Sequence, residues 1–207
     1  MKNKKGLLKE YAEAIVTALI LALVIRAYVV QAFKIPSGSM IPTLLIGDHI
    51  LVNKFIYGTK IPFSAKRVLV FKKPERGDII VFKYPENPEK DFIKRVVATG
   101  GDVIEERNKS VYVNKKAAAE PYVQHSDSSV KAWGNDPRDN FGPFKVPKDA
   151  YFVMGDNRDR SLDSRFWGIV PKDLLVGRAL ILYFSWNGKS EDLLDYIRWT
   201  RIGKLIK

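Results

Sequence analysis

The pattern of apolar positions divides the chain into two unlike parts. From Ala14 to Ile25 no charge interrupts the run, and Leu19–Ile25 has no polar face at helical spacing, as a helix packed on one side of a globular domain would have. Those twelve residues are too few to cross a bilayer, which needs about 20. Continuing through Arg26 to Phe33 supplies the length, with Arg26 snorkelling and Tyr28 at interfacial depth. The pattern therefore predicts one transmembrane helix over residues 12–32. A removable signal peptide is the alternative, since the basic start, the apolar centre and Val30-Gln31-Ala32 match its three regions.

Beyond Phe33 the period changes. Short apolar runs rich in β-branched and aromatic residues occupy 49–58, 66–73, 76–85, 92–102, 109–114, 150–157 and 178–186, broken by Gly, Pro, Asp and Asn. They predict a mainly β domain over 33–103 and 150–190. Residues 104–149 have few apolar runs and a Ser/Asp/Gly/Pro-rich middle, and read as an inserted β subdomain or an extended loop. The tail, 191–207, mixes bases with Tyr196, Ile197, Trp199, Ile202 and Leu205. It suits either an amphipathic segment on a membrane surface or an end packed on the β domain.

Charge fixes the orientation of the helix. The first ten residues hold four lysines against one glutamate, so residues 1–11 form a basic cytoplasmic flank and the rest lies across the membrane. The net charge of +12 is equally compatible with anionic lipid and nucleic acid. Many of the bases lie in the flank, the tail and one polar loop instead of among aromatics on the β domain, which argues against nucleic acid. The chain has no cysteine and two histidines, His49 and His125, which excludes thiol chemistry and disulfides and argues against a multi-histidine metal site.

Three segments carry candidate chemistry. In Ile35-Pro-Ser-Gly-Ser-Met-Ile-Pro-Thr-Leu44, Gly38 permits close backbone approach while Pro36 and Pro42 restrict the chain, leaving Ser39 on a constrained turn; read alone, such a stretch is usually only a turn. Alternation in Phe92-Ile-Lys-Arg-Val-Val97 puts Phe92, Lys94 and Val96 on one face and Ile93, Arg95 and Val97 on the other. A buried Lys94 amine suits general-base work, whereas a strand-end lysine would merely snorkel. His49 beside Asp48 leaves a serine-histidine-aspartate arrangement open. Gly155-Asp-Asn-Arg-Asp-Arg-Ser-Leu-Asp-Ser-Arg-Phe-Trp-Gly168 is the densest polar run. Its acids and arginines can pair into a rigid loop; a cation site on Asp156, Asn157, Asp159 and Asp163, and a solvated loop, are the competing readings.

Taken in order, PSGSMIPTL, RGDIIVF, FIKRVVATGGD and GDNRDRSLDSRFWG strongly resemble the boxes of signal peptidase I, over about Ala32 to Phe184. The resemblance implies an N-terminal transmembrane helix followed by an antiparallel β catalytic domain, shared with self-cleaving repressors, carrying a small inserted subdomain. It implies Ser39 as nucleophile and Lys94 as general base. Ser161 would orient the amine, and Ser37 would join the Ser39 N–H in holding the oxyanion. Arg95, Asp156, Asp163 and Arg165 match ion-pairing positions that hold the site together. Ile35, Met40, Leu44, Ile50, Phe92 and Ile93 match residues lining shallow pockets that admit small side chains, hence cleavage after Ala-x-Ala. The implied enzyme is a single-pass protein of the bacterial cytoplasmic membrane, with its catalytic domain outside, removing signal peptides from secreted preproteins. It needs no metal or organic cofactor, no nucleic acid and no obligate protein partner; its partners are membrane-embedded signal peptides and the lipid bilayer. A related protease that cuts only itself is the rival reading, with Ala117-Ala118-Ala119 as a small-x-small site.

Overall fold

The computed structural model describes residues 4–60, 67–68, 70–134, 136–188, 190 and 193–207. Its first element is α1 (Lys4–Tyr28). The helix begins before the expected residue 12, helped by an i,i+4 pair between Lys9 and Glu13 at 3.8 Å. It also ends earlier, at Tyr28 instead of 32, because Val30–Lys34 form strand β1 against β2 (Asp48–Asn53). Tertiary pairing thus takes residues the hydropathy pattern assigned to the helix. Ile15, Val16, Leu19, Ile20, Leu21 and Leu23 are exposed and point around the whole circumference of α1. Among the described residues no helix is long and apolar enough to cross a membrane. The charge-free run Ala14–Ile25 is about 18 Å long, against about 30 Å of hydrocarbon.

The rest is mainly β. The strands after β2 are β3 (Thr59–Lys60), β4 (Arg67–Val68), β5 (Ile79–Tyr84), β6 (Asn87–Thr99), β7 (Val103–Arg107), β8 (Ser110–Val113), β9 (Lys116–Ala117), β10 (Phe141–Lys145), β11 (Ala150–Met154), β12 (Val170–Pro171) and β13 (Leu175–Ser185), with a one-turn helix α2 (Ser164–Trp167) before β12. Of the strand expected over 66–73, Arg67–Val68 is β4 and pairs with β3; residues 66 and 69 lie outside the described residues. The main sheet is antiparallel, in the order β1-β2-β13-β5-β6-β11-β12.

Burial explains why β5 reads as a continuous apolar run and not as an alternating one. Ile79 and Val81 enter one core, with Ile35, Met40, Leu44, Ile50 and Leu182; Ile80 and Phe82 enter another on the opposite face, with Tyr57, Val96 and Val153. A strand covered on both faces has no solvent side to mark with polar residues. The inserted region is a four-stranded sheet in the order β10-β7-β8-β9. Its Ile104, Val111 and Val113 share a third core with Val97, Ala98, Phe152 and Met154 of the main sheet.

The tail packs on the β domain. Leu205 bridges to Ile181 and Ile197 to Trp186, Ile206 enters the first core, and Tyr196 stacks on Trp186 at 5.0 Å. Residues 191 and 192 lie outside the described residues.

Candidate active site

The turn carrying Ser39 hangs between β1 and β2. Ile35 N–H bonds to Asp48 O and Gly47 N–H to Ile35 O, closing the loop, while Met40 and Leu44 are fully buried anchors on either side. From the polar loop, Asn157 holds the Ser39 segment twice, its backbone N–H donating to Ser39 O at 3.0 Å and its Nδ2 to Gly38 O at 3.1 Å. Only glycine fits at 155: a Cβ there would lie 2.5 Å from Ser39 O and 2.3 Å from Ser161 Oγ. The two segments therefore meet backbone to backbone.

Lys94 enters from β6, opposite Ile80 of β5. Its Nζ lies 2.8 Å from Ser39 Oγ, also donates to Ile93 O at 3.1 Å, and sits 5.5 Å from the centre of the Phe92 ring. The amine is buried, and burial pushes its pKa down to about 8 against the opposing pull of Asp163 and Asp156. Near neutral pH about a tenth of the molecules therefore carry a neutral amine, able to accept a proton from the hydroxyl it faces.

The ion pairs behind Ser39 and Lys94 fall into two sets. Arg95 binds Asp156 through Nε at 2.8 Å and Nη2 at 2.7 Å, donates to Gly77 O, and lies 3.8 Å over the Tyr122 ring; the Thr43 hydroxyl donates to the same carboxylate. Arg165 binds Asp163 through Nε and Nη2, both at 2.9 Å. Asp163 is fully buried, yet the Arg165 guanidinium and the Gly155 N–H outweigh burial and keep its carboxyl below the usual carboxylate range. Asp159 is engaged by Lys109 at 2.6 Å. The carboxylates of a possible cation site are thus each committed to a cationic side chain, and no metal-holding cluster of three or more such groups exists among the described residues.

Several expected placements differ. Ser161 is buried and acts on Asp163, while the amine bonds to Ser39 Oγ and Ile93 O. Ser37 is exposed at the rim of the turn. Ile35, Met40, Leu44 and Ile50 are all buried in the first core, where they anchor the turn from beneath. Ile93, packed on that core, and Phe92, stacked on Tyr84 at 4.4 Å, keep exposed surface. Neither imidazole approaches the amine's role: His49 packs on the rings of Tyr183 and Phe184, and His125 faces Asp159 at 3.8 Å. Ala118, in the small-x-small run, is tied into its sheet by its N–H to Val111 O and packs on the third core.

The sequence reading offers Asn157 only as a cation ligand and not as the clamp on the Ser39 turn, and it assigns no role to Thr43, Tyr122 or the bidentate Glu120–Arg158 pair (2.6 and 2.9 Å). Their partners lie up to 119 positions away, so no local spacing reports them.

A family model described as signal peptidase, peptidase S26, matches residues 8–186. The chain is 38% identical over 235 residues to the signal peptidase I of Pseudomonas fluorescens, covering 99% of this chain and 81% of that one. The signal peptidase I of Aquifex aeolicus strain VF5 is 39% identical over 214 residues, 79% of each chain. That of Bacillus licheniformis is 36% identical over 188 residues, 89% of this chain and 93% of the relative.

Proposed function

The chain belongs to the signal peptidase family, peptidase S26, and is thereby a serine endopeptidase; we propose that it removes signal peptides with a Ser39–Lys94 dyad at small-x-small junctions. One observation carries the assignment: a buried amine with a lowered pKa lies 2.8 Å from a hydroxyl on a glycine-flanked turn. Lys94 takes the Ser39 proton as Oγ attacks the scissile carbonyl carbon. The oxyanion is held by the Ser39 N–H and the Ser37 hydroxyl at the rim. The ammonium returns its proton to the leaving amine, and the freed amine activates the water that releases the acyl group from Ser39. Ser161, buried behind the site, orients the amine once its contact to Ile93 O is given up, while the contact to Ser39 Oγ is kept. Phe92 and Ile93 offer apolar contact, while the closed floor of Ile35, Met40, Leu44 and Ile50 keeps the subsites shallow and selects small side chains.

The exposed apolar surface of α1 supports a second part of the reading, that it anchors the enzyme in the bilayer beside its membrane-embedded substrates. Arg26 and Glu13 would snorkel to extend the short charge-free run, and the basic flank would place the N-terminus in the cytoplasm.

The test is processing of a preprotein with an Ala-x-Ala junction by the purified protein in detergent. Ser39→Ala is expected to abolish it, Lys94→Arg to be inactive at every pH since guanidinium stays charged, and a His49→Ala/His125→Ala double variant to retain it. Turnover by either of the first two variants, or its loss in the third, would overturn the dyad.

A further inference from the structure

One buried acid near the site has no place in the chemistry above. Glu106 sits in the middle of β7, 1% exposed, with apolar Phe141 and Val111 opposite it on β10 and β8. Among the described residues its Oε1 has no hydrogen-bond partner and its Oε2 receives a single long contact, from Arg165 Nη1 at 3.4 Å. A buried carboxylate so poorly satisfied in the core of a small sheet calls for a reason.

Arg165 supplies one. Its Nε and Nη2 hold Asp163, Nη2 also donates to Arg158 O at 2.6 Å, and Nη1 donates to Arg138 O at 2.6 Å as well as reaching Glu106. Every donor of the fork is engaged, and two carboxylates lie on one guanidinium. Asp163 in turn acts electrostatically on Lys94. The inserted sheet therefore reaches the amine through a continuous line of charges.

We propose that Glu106 is a positioning residue for the Lys94 amine, acting from the inserted sheet through Arg165 and Asp163. An ionised Glu106 adds negative charge to the cluster and shares the guanidinium, so Asp163 favours the ammonium form of Lys94 more strongly. A neutral Glu106 leaves the guanidinium to Asp163 alone and frees the amine. The charged groups acting on Glu106 are Arg165 and Asp163 of α2 and its cap, Arg158 of the turn before it, and Glu120 beyond β9. Burial, with Asp163 and Glu120, outweighs the two arginines and pushes its carboxyl up to about 7. Its charge thus changes just below the range in which the amine titrates.

The inference rests on Lys94 as the base, and its test reads the amine directly as well as through activity. In the full-length protein in detergent, the Cε resonance of 13C-labelled Lys94 is followed against pH beside kcat/KM. Glu106→Gln, nearly isosteric and neutral, is expected to lower the Lys94 midpoint by about half a unit. Its kcat/KM should gain about twofold on the parent near pH 7.5, converging with it below pH 6, where the parent's Glu106 is already protonated. Glu106→Asp, which keeps the charge, should keep the parent midpoint. An unmoved Lys94 midpoint in Glu106→Gln, with activity scaled by one factor at every pH, would reduce Glu106 to a structural acid and overturn the proposal. Should the Gln variant not fold, the parent decides: its Lys94 Cε signal should show a second inflection shared with Glu106 Cδ, and a single inflection overturns the coupling. A wrong base assignment shows differently, as a parent kcat/KM that fails to follow the Lys94 titration.

Discussion

Lys94 sets stability against reactivity. Holding its pKa near 8 instead of 10.5 corresponds to about 3 kcal/mol of preference for the neutral amine. The unfolded chain binds that proton more tightly, so below pH 8 the group opposes folding in full, and the opposition fades as pH rises from 8 to 10.5. Lys94→Met keeps much of the volume without the amine. It is expected to be inactive, yet up to about 3 kcal/mol more stable than the parent at pH 7 by denaturant midpoint, with the gap closing toward pH 10.5. In the parent, kcat/KM should fall tenfold per pH unit well below 8, apart from the easing introduced by Glu106. A Met variant no more stable than the parent at pH 7 would mean that the amine is not held against its solvation. Arg95, the neighbouring base, is paired bidentately with Asp156, whose charge also favours the ammonium form of Lys94.

At the scale of elements, the site depends on segments clamped from outside their own strands. The tail supplies one clamp on the Ser39 loop: Arg201 binds the fully buried Asp48 through Nε at 3.1 Å and Nη2 at 2.5 Å, and donates to Thr43 O at 2.9 Å. Asp48 also accepts from Ser185 Oγ and Leu45 N–H, so it keeps partial support without the arginine. Arg201→Ala is expected to destabilise the domain by about 2 kcal/mol, because it leaves the buried Asp48 with only Arg198, 3.9 Å away, as a cation. In an Arg201→Ala/Asp48→Asn double variant part of that loss should return. A loss below about 1 kcal/mol would show the tail to be a loosely held end, as the other sequence-level reading allowed.

Across the whole molecule, three cores join two sheets into one body, and α1 stands apart, touching it mainly through β1. Excising residues 1–28 is accordingly expected to leave the β domain folded and its cleavage of a short soluble peptide within about threefold, while abolishing retention of the protein in alkali-washed membranes. Retention after excision would move the anchor to another surface. Loss of folding would mean that the helix stabilises β1.

The sequence by itself determined a great deal here, because its informative features are local. The charge-free run makes a helix, β-branched runs make strands, and four ordered motifs place Ser39, Lys94, Arg95, Asp156, Asp163 and Arg165 in one family pattern. Alternation also put Lys94 and Phe92 on one face of β6, and the amine does sit near that ring. Only the tertiary structure decided what depends on partners distant in sequence. Pairing with β2 takes residues 30–32 from the expected helix, and the first core takes in the side chains of Ile35, Met40, Leu44 and Ile50. Asn157 finds its acceptors 118 and 119 positions back along the chain, at Ser39 and Gly38, and Glu106 meets Arg165 across 59. Hydropathy and spacing describe a residue's own strand or helix. Burial and charge coupling belong to whichever strand is brought beside it, and that is fixed only when the sheets close.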